Sequence, residues 1–394
     1  MNRTVIVDFN NFWSPSGGGV RRYHLERMKF YKNRTDTLLI FAEPDSKTYT
    51  EKISDGLIIE HIKEFKFPGN WEYRFIWKEG KILPVLQKYS PDIIEVGSPY
   101  ILPKAVSKAC NKLSKVPILT AFWHADFPVT YVRRYFEKLH LPHLAKFFES
   151  LAFAYARSSF KKYAKIQASS CEVLDRIRQN GFSQERLSWI PLGCNLNTFT
   201  PKARDENFAI SIKGNDPERL SIFFPHRFCD EKGLNLFLDA YPLVCKTLSK
   251  EPAVLFAGTG PDLPKVKAAA KKFSFIRYEG FIQSEQEMAK HYASVDLSLA
   301  LSGWETFGLS ILESLACGDA LIAASTGAAA EHLKGSNAGV LLDERTPEAL
   351  ARAIVAISKA DKKQLKENAL NYAKNFSWES CFTRQLSMYK SLLH

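Results

Sequence analysis

Short apolar runs recur along the chain, and between them lie longer stretches whose apolar residues repeat at helical spacing. In the first half, "TVIVDF", "TLLIFAE", "DIIEVGS" and "VPILTAFWH" predict buried strands. The helices between them are predicted from "VRRYHLERMKFY", "EGKILPVLQKY" and "LPKAVSKACNKL". Around residues 195 to 215 the texture changes to Pro, Gly, Asn and charge, which predicts a domain boundary. A second series follows, from "LSIFFPHRF" and "PAVLFAGTG" to "DLSLALS" and "ALIAAS", again with helical stretches between the strands. From "PEALARAIVAI" to "SMYKSLLH" the pattern is helical throughout, apart from "NFSWES". Strand-helix alternation of this kind predicts an α/β chain of two Rossmann-like, doubly wound domains, 1–195 and 196–375, each built on a parallel sheet. Ligands of such sheets sit outside the carboxyl ends of the strands, so the loops after strands would line a central cleft between the two halves.

Those loops hold the candidate chemistry. After the first strand, "SPSGGGVRR" places Gly17, Gly18 and Gly19 ahead of a helix, where backbone can turn tightly and helix amides can meet an anion. The spacing is not G-x-G-x-x-G, so a nicotinamide site is not supported, and a simple tight turn reads equally from these residues. In the second half, "FFPHRFCDEKG" sets Arg227 and Lys232 just beyond a strand, suited to phosphate oxygens or to solvent. Gly258 and Gly260, in "LFAGTGPD", mark another strand end where backbone can approach a ligand. "GWETFGLSILESLACG" has Glu305 and Glu313 flanking a helix predicted to start near Thr306 or Phe307. That start would aim the amides of Gly308, Leu309 and Ser310 at a phosphate, with Glu305 outside the helix end and Glu313 one to two turns inside. The two acids could grip hydroxyls of a sugar and a ribose, or be a helix-start acid and a surface acid. No Asp-x-Asp occurs in the chain, so no metal is expected to bridge a diphosphate, and fixed cations would have to neutralise it.

Composition narrows the setting. With 45% apolar and 24% charged residues the chain reads as globular, and no apolar run reaches the length of a membrane span. The first residues read as a strand, without the apolar core of a signal peptide. The seven cysteines are odd in number and form no C-x-x-C, which points away from a zinc ribbon or disulfide framework and toward a reducing cytoplasm. The net charge of +12 is uneven: residues 1–195 carry 30 Lys and Arg against 19 Asp and Glu. Residues 131–165 alone hold eight basic, two acidic and nine Phe or Tyr residues. Such a basic aromatic stretch can lie at an anionic membrane surface, or it can simply pack on the core with solvated charges.

Taken in order, the glycine loop, Arg227 and Lys232 after a strand, the Glu-x7-Glu segment and "SWIPLGCNLNTFTP" resemble the retaining glycosyltransferases of family 4, or group 1, with the GT-B fold. The resemblance spans nearly the whole chain and is strongest in "HRFCDEKG" and "ETFGLSILESLACG". It implies a last helix, 376–394, that crosses back to the first domain. It also implies a UDP- or GDP-hexose as co-substrate and no other cofactor. Gly17, Gly18 and Gly19 would then contact the donor diphosphate, and Arg227 and Lys232 would stabilise its developing charge. Glu305, with Thr306 and Phe307, would face the donor sugar, Glu313 would hold the ribose, and Gly258 and Gly260 would adjoin the donor. His124, in "AFWHAD", falls where the family has an active-site histidine. Asp126, Arg133 and Arg134 are candidates for the acceptor side. Transfer would retain anomeric configuration without a protein base, a donor phosphate oxygen helping to deprotonate the acceptor. The sequence departs from the family at Asp319, where a proline is frequent, and at Gly327, where glycines are commonly paired, which leaves the sugar open. "WHADFPVTYVRRY" resembles members acting on diacylglycerol-type or inositol lipids, so the expected acceptor is a lipid or glycan at the inner membrane surface. The rival readings are a sugar-nucleotide epimerase of the same fold and a basic nucleic-acid-binding protein. For the latter no RNP, KH or zinc-finger pattern is present, and no nucleic acid is expected.

Overall fold

The computed structural model describes residues 3–13, 18–67 and 70–394. Its chain forms two compact units, Met1–Pro191 together with Trp378–His394, and Leu192–Ser377. Gly17 lies outside the described residues.

In the first unit the strands are β1 (Thr4–Phe9), β2 (Thr37–Asp45), β3 (Tyr49–Lys52), β4 (Leu57–Lys63), β5 (Lys66–Phe67), β6 (Asn70–Arg74), β7 (Ile93–Val96), β8 (Ile118–Phe122), β9 (Lys165–Ala168) and β10 (Leu187–Trp189). Among the described residues, eight of them form one sheet in the order β10-β9-β8-β7-β1-β2-β4-β3. The central strands are apolar runs covered on both faces: Ile6, Val7, Phe9, Ile93, Ile94 and Val96 are fully buried. The sheet is not parallel throughout. β3 pairs antiparallel with β4 at the edge, and its sequence "YTEK" carries no apolar signal because all four residues are exposed.

Asp8 interrupts the apolar run of β1, and the helix Gly19–Lys32 answers it. Arg27 Nη1 donates to Asp8 at 2.7 Å and also pairs with Glu95 of β7, while His24 Nδ1 lies 3.2 Å from Asp8. The last helix, Trp378–Leu393, closes this cluster. The Tyr389 hydroxyl accepts from Arg27 at 3.0 Å and donates to Glu95, and the Gln385 amide donates to Tyr23 and Gln167 at 2.7 and 2.8 Å. Every one of these groups is buried, so removing one member strands a charge in a low-dielectric interior.

Residues 131–165 are not one helix. A wide π-type turn, Pro128–Arg133, runs into Arg134–Lys138, and the helix Pro142–Ser159 follows. The break falls at His140, whose φ is +57°, and at Pro142, which has no amide to continue the ladder.

The second unit is simpler. β11 (Ser221–Pro225), β12 (Ala253–Ala257), β13 (Ile276–Gly280), β14 (Leu297–Ala300), β15 (Ala320–Ala324) and β16 (Gly339–Leu342) form a parallel sheet in the order β13-β12-β11-β14-β15-β16. Phe224, Phe237, Phe256, Leu299 and Ile354 lie in its core. The chain winds outward from β11 in one direction and from β14 in the other. The crevice beyond the carboxyl ends of these two strands is therefore the topological switch point, where an open α/β sheet receives its ligand.

Candidate functional site

At that crevice β11 gives way to His226, whose Nε2 lies 2.6 Å from the carbonyl oxygen of Leu299 on β14. Arg227 follows and is exposed, and among the described residues no carboxylate pairs with its guanidinium. A short 3-10 turn, Asp230–Lys232, then leads through Gly233 into the helix Leu234–Thr247. Gly233 has φ +79°, and a Cβ there would lie 2.6 Å from Leu301 Cβ, so the turn that aims Lys232 requires glycine.

From the neighbouring strand, β14, the chain runs through Ser302 and Gly303 to Glu305. The ammonium of Lys232 forms an ion pair with the Glu305 carboxylate, both side chains being about four-fifths buried. Burial opposes both charges, but each partner more than offsets it. The Glu305 carboxyl is held below its ordinary range and the Lys232 ammonium above. His226 is pushed down to about 4 by burial and then by Lys232, which keeps the imidazole neutral at physiological pH. His226, Lys232, Glu305 and Ser310 line one small cavity.

The helix that carries Glu313 begins later than its sequence suggested. It spans Leu309–Cys317, with Gly308 as N-cap at φ +80°, because the left-handed residue must precede the first turn. Phe307 belongs to the core instead, 4% exposed. The amides of Gly308, Leu309 and Ser310 precede the first helical hydrogen bonds, in which Ile311 and Leu312 donate to Gly308. Glu313 stands one turn in, half-buried, about 6 Å along the axis from Leu309 at the usual rise per residue.

Two residues not assigned a role from sequence fix this helix. His332 Nε2 lies 2.7 Å from the Phe307 carbonyl and Nδ1 lies 3.1 Å from the Tyr372 hydroxyl, a pattern that a neutral imidazole satisfies by donating on one side and accepting on the other. Burial pushes His332 down to about 4. Asp319, the departure noted above, accepts from Ser298 of β14 at 2.7 Å and from Ser314 of the helix at 3.0 Å. It is 2% exposed, and burial raises its carboxyl well above the usual range. A proline there would offer neither hydroxyl an acceptor. The loop after β15 packs on the Glu305 loop: Ala328 donates its amide to the Glu305 carbonyl at 3.2 Å, and the φ of Gly327 is +77°.

Gly258 and Gly260 spend their freedom on the protein itself. A Cβ on Gly258 would fall 2.2 Å from the His226 carbonyl, and one on Gly260 2.4 Å from that of Phe228. These glycines let the end of β12 lie against the His226–Phe228 segment and so set the height of Arg227.

In the first unit, Gly18 is the N-cap of the helix that starts at Gly19, and space is open around its Cα. His124 follows β8 and is 9% exposed, its ring stacked on Phe122 at 4.2 Å and edge-on to Tyr23 at 4.8 Å. Burial, then the neighbouring His24, holds its pKa well below the ordinary histidine value. Gly97, at the end of β7, makes room for it: a Cβ there would lie 2.7 Å from Asn10 and 3.1 Å from His124. Asp126 is buried and paired with Arg176, and Trp123 Nε1 donates to it at 3.3 Å. Arg133 pairs with Glu137 at 2.6 Å and lies 3.6 Å from Glu149. Arg134 is half-buried beside it. Both charges of Asp126 and Arg133 are thus engaged within their own unit.

Among known proteins, residues 205–376 match the family model for glycosyl transferases group 1. The chain is 26% identical over 382 residues to a GDP-mannose-dependent alpha-(1-6)-phosphatidylinositol dimannoside mannosyltransferase of Mycobacterium tuberculosis, covering 97% of this chain and 95% of that protein. A glycosyltransferase of Rickettsia africae superposes with a TM-score of 0.73 at 20% identity, over 100% of this chain and 99% of that one. A sucrose-phosphate synthase of Thermosynechococcus elongatus does so with a TM-score of 0.75 at 15% identity, over 99% of both chains. The match reaches across nearly all of the unit that holds Arg227, Lys232 and Glu305, so the chain is similar to the group 1 glycosyltransferases, and its α/β architecture of two Rossmann-like halves is the GT-B fold of these solved structures.

Proposed function

We propose that the protein transfers a hexose from a UDP- or GDP-sugar to a hydroxyl of a lipid or glycan acceptor, with retention of configuration and without a metal at the reacting centre. The observation that carries this reading is the Lys232–Glu305 pair at the switch point of the second unit, with His226 and Ser310 lining the same cavity, Arg227 next after His226 in the chain, and the amides of Gly308, Leu309 and Ser310 at the start of the following helix. Arg227 and Lys232 supply fixed positive charge for a departing nucleoside diphosphate, and the helix N-terminus adds oriented dipoles. Glu305 holds Lys232 in its charged form before the donor arrives and offers its remaining lone pairs to sugar hydroxyls. Glu313 lies at the distance from the phosphate amides where a ribose diol follows. The first-unit residues His124, Asp126, Arg133 and Arg134 belong to the acceptor side of this reading, His124 as a neutral hydrogen-bonding group.

GDP-mannose is the donor to test first, because the mycobacterial relative is named for it, and that relative's acceptor is a phosphatidylinositol mannoside. The surface of the first unit supports a lipid acceptor. Tyr131, Tyr135, Leu144, Phe147 and Leu151 are 43–61% exposed on the basic stretch. No helix among the described residues is long and apolar enough to cross a membrane. Beside this face lies a groove of about 580 Å³ lined by Phe12, Tyr73, Phe75, Trp77, Tyr100 and Ile101, suited to acyl chains. Peripheral binding of the inner membrane surface through this face completes the proposal.

The test is a panel of labelled nucleotide sugars incubated with the protein and membrane lipid extract. Labelled lipid formed from one donor is the expected result. A donor epimerised without acceptor, or salt-sensitive oligonucleotide binding with no donor binding, would overturn the reading.

A further inference from the structure

Away from the donor site, the carboxyl ends of β2 and β4 bring a second group of chemically active side chains together. Glu43 of β2 and His61 of β4 are direct register partners, and Tyr49 of β3 faces His61 from the other side. Side chains two apart on a strand share a face, so Asp45 and Glu51 join them. His61 Nδ1 lies 2.9 Å from Glu43 Oε1 and 3.2 Å from Asp45 Oδ2, and Nε2 lies 3.6 Å from Glu51 Oε2. Tyr49 stacks on the imidazole at 3.9 Å and donates its hydroxyl to Asp45 at 3.2 Å, fixing both.

Charge in this group does not balance. Three carboxylates surround one imidazole, and among the described residues no Lys or Arg forms an ion pair with Glu43, Asp45 or Glu51. Glu43 and His61 are each 6% exposed, yet Glu43 Oε2 is buried without a hydrogen-bond partner, and neither ring nitrogen of His61 makes an aligned hydrogen bond despite its short approach to carboxylates. Buried polar atoms of native proteins are ordinarily satisfied, so such orphans point to a missing ligand.

We propose that Glu43, Asp45 and His61 bind a divalent transition-metal ion of the zinc type. One ligand atom from each of the three lies within 4.8 Å of the others. Around an ion with metal–ligand bonds near 2.0–2.1 Å, neighbouring ligand atoms stand about 3.0 to 3.4 Å apart, which the imidazole–carboxylate separations already approach. One nitrogen and two carboxylates suit zinc, cobalt or manganese better than calcium or magnesium, which prefer oxygen alone. The ion would clip β4 to β2 at their carboxyl ends, where the edge strand β3 packs through Tyr49.

The chelator-treated full chain is titrated with ZnCl2 by calorimetry and, in parallel, with CoCl2 by visible absorption. One equivalent of zinc per chain, competed by cobalt with the absorption of a nitrogen-oxygen site, is expected. His61→Ala should weaken binding by at least about tenfold. Asp45→Asn, at a partly exposed strand end, should weaken it as well while leaving the circular dichroism spectrum unchanged. No stoichiometric zinc binding by the wild-type chain, equal affinity in folded Asp45→Asn, or preference for Ca2+ over Zn2+ would each overturn the assignment.

Discussion

Lys232 and Glu305 are separated by 73 residues and belong to loops after adjacent strands, yet their charged atoms meet in one ion pair at the switch point of the second sheet. Loss of either charge leaves the other about four-fifths buried without its partner. Lys232→Ala and Glu305→Gln should each lower the transfer rate by about 100-fold or more, the size seen when a fixed electrostatic contact to a developing charge is removed. Initial rates with a saturating donor check this, with circular dichroism to confirm folding. Wild-type turnover in both variants would sink the site assignment.

Arg227 is exposed and free of carboxylates among the described residues, so its removal should disturb binding more than folding. Arg227→Ala is expected to weaken nucleoside diphosphate binding by roughly 10-fold to 100-fold, the worth of a charge-assisted hydrogen bond. Calorimetric titration with GDP and UDP measures it, and the melting temperature should stay within a degree or two.

His226 and His332 titrate at 6.5 when unfolded and near 4 when folded. The unfolded chain therefore binds protons across that interval and the native chain does not. Stability present above pH 6.5 is lost progressively as pH falls toward 4. Glu305, depressed below 4.5, adds to the loss at the acid end of the same range. Across pH 7.5 to 4.5 the His332 contribution should make the melting temperature of the wild type fall more steeply than that of His332→Gln, which can still donate to Phe307.

The exposed aromatic face of the first unit gives a prediction in lipid. Tyr135→Ser, Phe147→Ser and Leu151→Ser combined should abolish co-sedimentation with anionic vesicles while preserving donor binding. Salt should weaken the wild-type interaction, since Lys and Arg on the same stretch supply its electrostatic part. Equal sedimentation of wild type and triple variant would exclude this face as the membrane contact.

Glu95 accepts hydrogen bonds from Arg27, Tyr389 and Gln167 within a dry interior. Glu95→Ala should cost about 3 kcal/mol or more, because it leaves Arg27 with only Asp8 as a carboxylate partner. Denaturant unfolding monitored by far-ultraviolet circular dichroism gives the value, and a change below about 1 kcal/mol would show that Asp8 suffices.

Much of this architecture was legible because buried parallel strands are continuous apolar runs, and the loops after them carry residues with few structural reasons to be there. Arg227, Lys232 and Glu305 were found that way. His226 was not, since a histidine beside a strand end is ambiguous until Leu299 of the next strand is seen to face it. The start of the Leu309 helix was misplaced because a glycine inside an apolar run reads as part of the helix, whereas its positive φ makes it the cap. Strand β3 left no trace because an exposed edge strand needs no apolar face. The Glu43–His61 pairing was equally invisible: strand register, and nothing in local sequence, makes those residues neighbours.

The helix Trp378–Leu393 donates Gln385 and Tyr389 to the interior of the first unit, although all of the second unit precedes it in the chain. During synthesis the first unit therefore emerges early but lacks two of its buried partners until the whole second unit has been translated. The second unit, begun later, can complete its own core sooner. A chain truncated after residue 377 should hold a folded second unit and a protease-sensitive first one.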